Sequence, residues 1–295
     1  MLGTRPRNLF THKSCRPGQN ALSPGTAFFH ATLPWPIIER DTIMRILVFQ
    51  HVPVEHPGAF CRLWRESGDE WCTVELDAGQ VIPDLNDFDL LVAMGGPMDV
   101  WQEDLYPWLG PEKAAIRHWV KDLGRPFLGV CLGHQLLAVA LGGVVRLMDQ
   151  QEIGLGEVTL TEAGGQDPLF AGFAAPVETF QWHGAEISQL PDGAEVLAMN
   201  SSCPVQAFRY GPHAYGLQYH VEITASTVAE WSNIPEYRAG LERVLGPGAT
   251  TRLSELVAHR LPSFAASARR LNDNISAVVM AAHSASPLKD KRLSA

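Results

Sequence analysis

The stretch FLGVCLGHQ, residues 127–135, runs directly on into LLAVAL. A short apolar strand-like run therefore meets a helical run with only Gly129-Val130-Cys131-Leu132-Gly133 to turn the chain. A G-x-C-x-G turn of this kind is sharp, and side chains in place of Gly129 and Gly133 would collide with the chain on either side. The form is that of a nucleophile elbow with Cys131 in the position where hydrolases of the α/β type carry serine. A cysteine flanked by Val and Leu is more often an inert core residue, so Cys131 has to be judged by what surrounds it.

Outward from the elbow, apolar runs alternate with helix-compatible stretches: RILVFQ (45–50), CTVELDA (72–78), DLLVAMGG (89–96) and RPFLGVC (125–131). Their near-continuous apolar character, with helical segments between, predicts a parallel sheet covered on both faces. PEKAAIRHWVKDL (111–123) reads as the crossover helix before the elbow strand. Beyond residue 145 a series of shorter strands is expected, near EVTLT, VETFQWH, AEVLAMN, VQAFRY and AYGLQYHVE. These are antiparallel additions to the sheet or a small layer beside it. From about 226 the composition is helical, most clearly over 267–282. The expected fold class is α/β, a doubly wound, mostly parallel sheet with antiparallel additions. Three regions are expected: a disordered extension over 1–43, a folded unit over 44–240, and a helical segment with a frayed tail over 241–295. Met44, directly before RILVFQ, is a candidate start of the folded protein.

Composition narrows the function. The chain has 295 residues, 46% hydrophobic and 19% charged, with a net charge of −9, which is ordinary globular usage. No basic cluster with interleaved aromatics marks a nucleic-acid surface, and the apolar run 136–145 is about half of what a membrane span needs. Five widely spaced cysteines with no CxxC pair argue against a disulfide framework and a zinc site, which fits a cytoplasmic protein. No cofactor or metal is expected. Gly-Leu-Gly at 154–156 lacks both a third glycine and a fitting strand before it, so a nucleotide loop is weakly supported.

A nucleophilic cysteine needs a base, and the base an orienting group. Among eleven histidines, His220 in GLQYHVE has Glu222 two residues on, and in extended backbone such residues share a side. His183 in FQWHGAE is the rival; its Glu186 lies three residues on and Gly184 reads as a turn, so His183 is taken as a structural or substrate-loop residue. His134, inside the elbow's helix, is read as packing or a local hydrogen bond. The helix N-terminus beneath Cys131 would favour a thiolate. The Leu132 amide is left free as an oxyanion donor, and MGGPMDV (94–100) brings Gly95 and Gly96 to the same sheet edge.

Taken together, GGP, GVCLGHQ and QYHVE, in that order, resemble the class I glutamine amidotransferases, and the chain is most similar to stand-alone members related to the glutaminase domain of GMP synthase. The resemblance covers about residues 44–240 and implies a flavodoxin-like fold. It implies that Cys131 attacks the side-chain amide of glutamine, that His220 moves the proton, and that Glu222 orients His220. Gly96 and Leu132 are then the oxyanion donors, and Gly95, Gln135 and His183 bind substrate. Many members read H-P-E where this chain has His220-Val221-Glu222. No synthetase-like region or Walker loop accompanies these motifs. The implied partner is glutamine or a γ-glutamyl small molecule, with room for a separate ammonia-accepting synthetase; nucleic acid and membrane are not expected. A γ-glutamyl peptide hydrolase and a non-catalytic regulator of the same fold are the alternatives.

Overall fold

The computed structural model describes residues 43–285. The expected extension over 1–43 and the end of the expected tail fall almost wholly outside those residues. Within them, β1 (Arg45–Gln50), β2 (Glu70–Glu75), β3 (Leu90–Ala93) and β4 (Phe127–Val130) form parallel pairs, and β4 pairs in parallel with β9 (Ala214–Leu217). The sheet then continues antiparallel through β8 (Ala207–Tyr210), β7 (Ala194–Met199), β5 (Val144–Leu160) and β6 (Val177–Gln189). One nine-stranded sheet results, ordered β2-β1-β3-β4-β9-β8-β7-β5-β6. The later strands are thus additions to the same sheet. The fold is α/β, with the doubly wound flavodoxin-like arrangement in its parallel half.

β1 shows why the parallel half is apolar throughout. Alternate residues of a strand point to opposite faces. Ile46 and Val48 join one buried cluster with Phe60, Leu63 and Trp64 of α1 (Ala59–Ser67). Leu47 and Phe49 join another with Ile116 of α2 (Leu109–Arg117) and with Leu136 and Leu137 of α3 (Leu132–Ala140). Both faces are covered, so neither phase of the strand can be polar. The expected crossover helix starts slightly early, as α2, and passes through a wide π turn at His118–Asp122.

Beyond α4 (Glu162–Gln166), the short helices α5 (Thr227–Trp231) and α6 (Pro235–Leu245) lead to α7 (Ala249–Ala285), 37 residues long. The first half of α7 packs Leu253, Val257 and Phe264 with Phe180, Trp182 and Trp231 in a third cluster. Its second half lays Leu271, Ile275 and Val279 on the α1 face of the sheet. Fully burying each such side chain is worth about 1.5–3 kcal/mol. That gain offsets Pro262 inside the helix, which removes one backbone hydrogen bond at a cost of about 3 kcal/mol.

Three local expectations are corrected. β5 spans 17 residues where a short strand around EVTLT was expected. Its first part, with Asp149, Gln150 and Gln151, has no apolar alternation because little of it is buried, and a register shift between Leu147 and Glu152 bends it against β6. Gly184 lies within β6 rather than at a turn, since the ladder to β5 carries the chain through it. Regular pairing of β9 stops at Leu217; His220 is held instead by a lone antiparallel bridge to Phe180.

Candidate active site

β4 ends at Val130 and α3 begins at Leu132, so Cys131 alone makes the corner. Its φ is 51°, the one positive φ outside glycine among the described residues. Such a conformation costs about 1–3 kcal/mol and persists only where the surroundings over-determine it. They do. The Cys131 amide donates to the Leu217 carbonyl of β9 at 2.8 Å, and the Gly133 amide donates to the Met94 carbonyl after β3 at 3.0 Å. A β-carbon on Gly129 would run into the Gly133 carbonyl, and one on Gly133 into that of Ala93. The corner closes because both flanking positions lack side chains.

Cys131 is 5% exposed and lies at the wall of a pocket that Gly96, Gln135, Trp182, His183 and Tyr237 also line. Gln218 Nε2 donates toward its sulfur at 3.7 Å, and Gln135 Nε2 donates to Gln218 Oε1 at 3.0 Å. Gln135 therefore reaches Cys131 through a second glutamine as well as facing the cavity.

His220 and Glu222 come together although neither is in regular strand. Nδ1 of His220 lies 2.6 Å from Glu222 Oε1, and Glu222 Oε2 accepts from the Val221 amide at 2.9 Å. A carboxylate only accepts, so Nδ1 carries a proton and Nε2 is the ring nitrogen left to exchange one with the thiol. Nε2 is buried with no hydrogen-bond partner among the described residues. Cys131 is close enough to raise the basicity of the ring without the geometry of a formed hydrogen bond. Burial opposes charge on His220, but Glu222 and then Cys131 outweigh it, and the pKa is raised well above the ordinary value. Trp231 closes the ring's other side, edge-on at 4.7 Å between centroids.

His183 has a different setting. Its Nδ1 faces the Ala185 carbonyl at 3.0 Å and its Nε2 lies 3.1 Å from Glu152 Oε2. Both nitrogens face protein acceptors, although Nε2 lacks the geometry of a formed hydrogen bond, and the ring serves as pocket wall. Glu152 also accepts from Asn200 and Gln206; burial works against its charge, yet His183 and these donors hold its pKa below the usual value. His134 is fully buried, edge-on to Phe208, and burial pushes its pKa down to about 3. It is a neutral packing residue. Cys61 and Cys203, also free thiols, are pushed up by burial to about 11 and about 12.

Gly95 and Gly96 follow β3 at the same edge, and among the described residues neither the Gly96 nor the Leu132 amide has an acceptor. Gly96 and Leu132 both line the pocket, whereas Gly95 stands behind it. Sequence reasoning missed several contributors. Gly58 has φ 53° and packs so closely on the Glu222 carbonyl that a β-carbon would overlap it; the next amide, Ala59, donates to that carbonyl at 2.7 Å. Tyr237 of α6 donates to buried Glu55 at 2.5 Å. The one sign of these partners was that HVPVEHPG after β1 is rich in polar residues for a loop leaving a buried strand.

The profile of the family described as glutamine amidotransferase class-I matches residues 62–230. The chain belongs to the class I glutamine amidotransferases. Among curated members of this family, the glutamine amidotransferase-like protein YfeJ of Salmonella typhimurium is 35% identical over 191 residues, covering 63% of this chain and 78% of its own. The glutamine-hydrolysing GMP synthase subunit of Saccharolobus solfataricus is 33% identical, covering 48% of this chain and 71% of its own. A crystallised glutamine amidotransferase of Thermotoga maritima superposes with a TM-score of 0.71 at 29% identity, over 79% of this chain and 98% of its own. The stretches GGP, GVCLGHQ and QYHVE lie at the carboxyl ends of β3 and β4 and after β9. Among the described residues no helix is long and apolar enough to cross a membrane.

Proposed function

We propose that this amidotransferase releases ammonia from glutamine through a γ-glutamyl thioester on Cys131. The observation that carries the reading is the buried relay: Glu222 accepts the Nδ1 proton of His220 at 2.6 Å, and Nε2 is left unpartnered beside a cysteine held in a strained corner. His220 takes the thiol proton. The thiolate, at the N-terminus of α3 and beside the Gln218 amide, attacks the carboxamide carbon of glutamine. The negative oxygen that develops lies within reach of the Leu132 and Gly96 amides, each such donor being worth about 10²–10³ in rate. The carbon–nitrogen bond then breaks, His220 delivers its proton to the departing nitrogen, and ammonia leaves. Water, deprotonated by His220, attacks the thioester, and glutamate and the free thiol are regenerated. Asp99 and Glu236 on the pocket lining suit the α-ammonium that every γ-glutamyl donor carries. The name of the Saccharolobus relative, one component of a synthase, supports a separate ammonia acceptor.

Ammonia release is measured from glutamine, glutathione and γ-glutamyl amides with wild type and Cys131→Ala. Release by wild type with a loss of at least about 10³-fold in Cys131→Ala supports the reading, and the preferred donor identifies the leaving group. Wild type inactive on every donor, with Cys131 unlabelled by a diazo-ketone glutamine analogue, overturns it.

A further inference from the structure

His51 and Glu112 form a buried pair that the chemistry above does not use. His51 follows β1 and Glu112 lies in the first turn of α2; neither side chain is exposed. His51 Nε2 is 2.9 Å from Glu112 Oε1, and Nδ1 is 2.8 Å from the Gly95 carbonyl oxygen. A carbonyl can only accept, so Nδ1 donates. The ring is stacked on Trp108 at 5.4 Å and 20°, which sets its plane. Burial works against charge on His51, but Glu112 and the two hydrogen bonds outweigh it and raise the pKa, so the donated proton stays on the ring. Burying such a pair adds little net stability compared with apolar side chains of the same size.

Its effect is on direction. A trans peptide is planar, with its carbonyl and the following N–H pointing opposite ways. Holding the Gly95 carbonyl toward His51 therefore turns the Gly96 N–H away from it, and Gly96 is the residue of the pair that lines the pocket with Cys131 and Leu132. Between two glycines the peptide has little steric resistance to flipping, so an external hold is needed. Glu55, fixed by Tyr237, stands against the Gly95 α-carbon and narrows the space on that side.

We infer that His51, oriented by Glu112, is a positioning residue that locks the Gly95–Gly96 peptide with its N–H aimed into the pocket, so that the oxyanion hole is formed before substrate binds. This rests on the thioester reading above, since only an acyl-transfer step uses the hole.

The test compares His51→Phe, which keeps the stacked ring but not the donor, with His51→Gln, which keeps a donor. With glutamine, or the donor wild type prefers, His51→Phe is expected to lower kcat by about 10²-fold with KM within about threefold, and His51→Gln to recover about tenfold of that loss. Alkylation of Cys131 by iodoacetamide, a displacement that creates no oxyanion, should proceed at the wild-type rate in both. Wild-type kcat in His51→Phe, or an equal loss in alkylation, overturns the inference while leaving the thioester reading intact. A wild type inactive on every donor removes both. If His51→Phe does not fold, Glu112→Leu and Glu112→Gln carry the comparison: the Gln amide still meets the ring and should lose several-fold less kcat than Leu, and equal losses overturn the inference.

Discussion

Single histidines in this molecule show that equal burial can accompany opposite roles. His220 and His134 are both fully buried and lie near Cys131 in the chain or in space, yet one is raised well above the ordinary value and the other pushed down to about 3. The difference is Glu222 beside one ring and Phe208 beside the other. For His134 the linkage has a definite sign. Between its unfolded value of about 6.5 and its folded value of about 3 the unfolded chain binds a proton that the folded chain does not, so stability falls as pH drops through that window. Replacing His134 by Leu should remove this contribution: the urea midpoint of the variant should change less between pH 7 and pH 5 than that of wild type. Equal changes would show that His134 does not titrate this way. Of the site residues, Cys131 was the most legible in sequence, because the two flanking glycines have a steric reason that the structure repeats atom by atom. His51 and Glu55 were not, since each acts on a partner brought near only by the fold, and no local spacing records such a contact.

At the level of elements, the strand-to-helix corner leaves no room for a side chain at either flanking glycine. Gly110 and Gly133 both lie near the start of a helix, but a β-carbon on Gly110 meets nothing within 4 Å whereas one on Gly133 strikes the backbone of Ala93. Gly110→Ala should therefore be neutral or stabilising by up to about 1 kcal/mol. Gly133→Ala should be destabilising by about 3 kcal/mol and, by displacing Cys131, should abolish the proposed ammonia release. Thermal or urea denaturation of the two variants checks the contrast, and similar stabilities would refute it. Strands β1, β3 and β4 were readable because burial on both faces leaves an unbroken apolar run. β5 was only partly readable: its polar first half pairs with β6 through backbone hydrogen bonds, which any side chain can accompany. The placement of His220 beside Glu222 was anticipated from strand alternation, but the backbone there is irregular, and the pair is held by a bridge to Phe180 and by Gly58 packed on the Glu222 carbonyl.

Across the whole molecule, α7 joins two cores that the sheet alone would leave separate: its first half belongs to the cluster behind the pocket and its second to the α1 face. A chain ending at Leu261 would strip Ala268, Leu271, Ile275 and Val279 from that face. We expect it to aggregate or to lose its cooperative unfolding transition, seen by size-exclusion chromatography and thermal melting; a monomer with the wild-type melting temperature would contradict this. Helical composition after residue 226 was visible in the sequence, but which face of so long a helix meets which core was not, because the answer depends on strands more than a hundred residues earlier. The contact between Tyr237 and Glu55 spans 182 residues of chain, and pairings of such range form late in folding because their loop entropy has to be overcome first. During synthesis the corner cysteine therefore leaves the ribosome long before the groups that would arm it. An unfinished chain that stops short of His220 and Glu222 carries the thiol without the base and orienting carboxylate proposed for it.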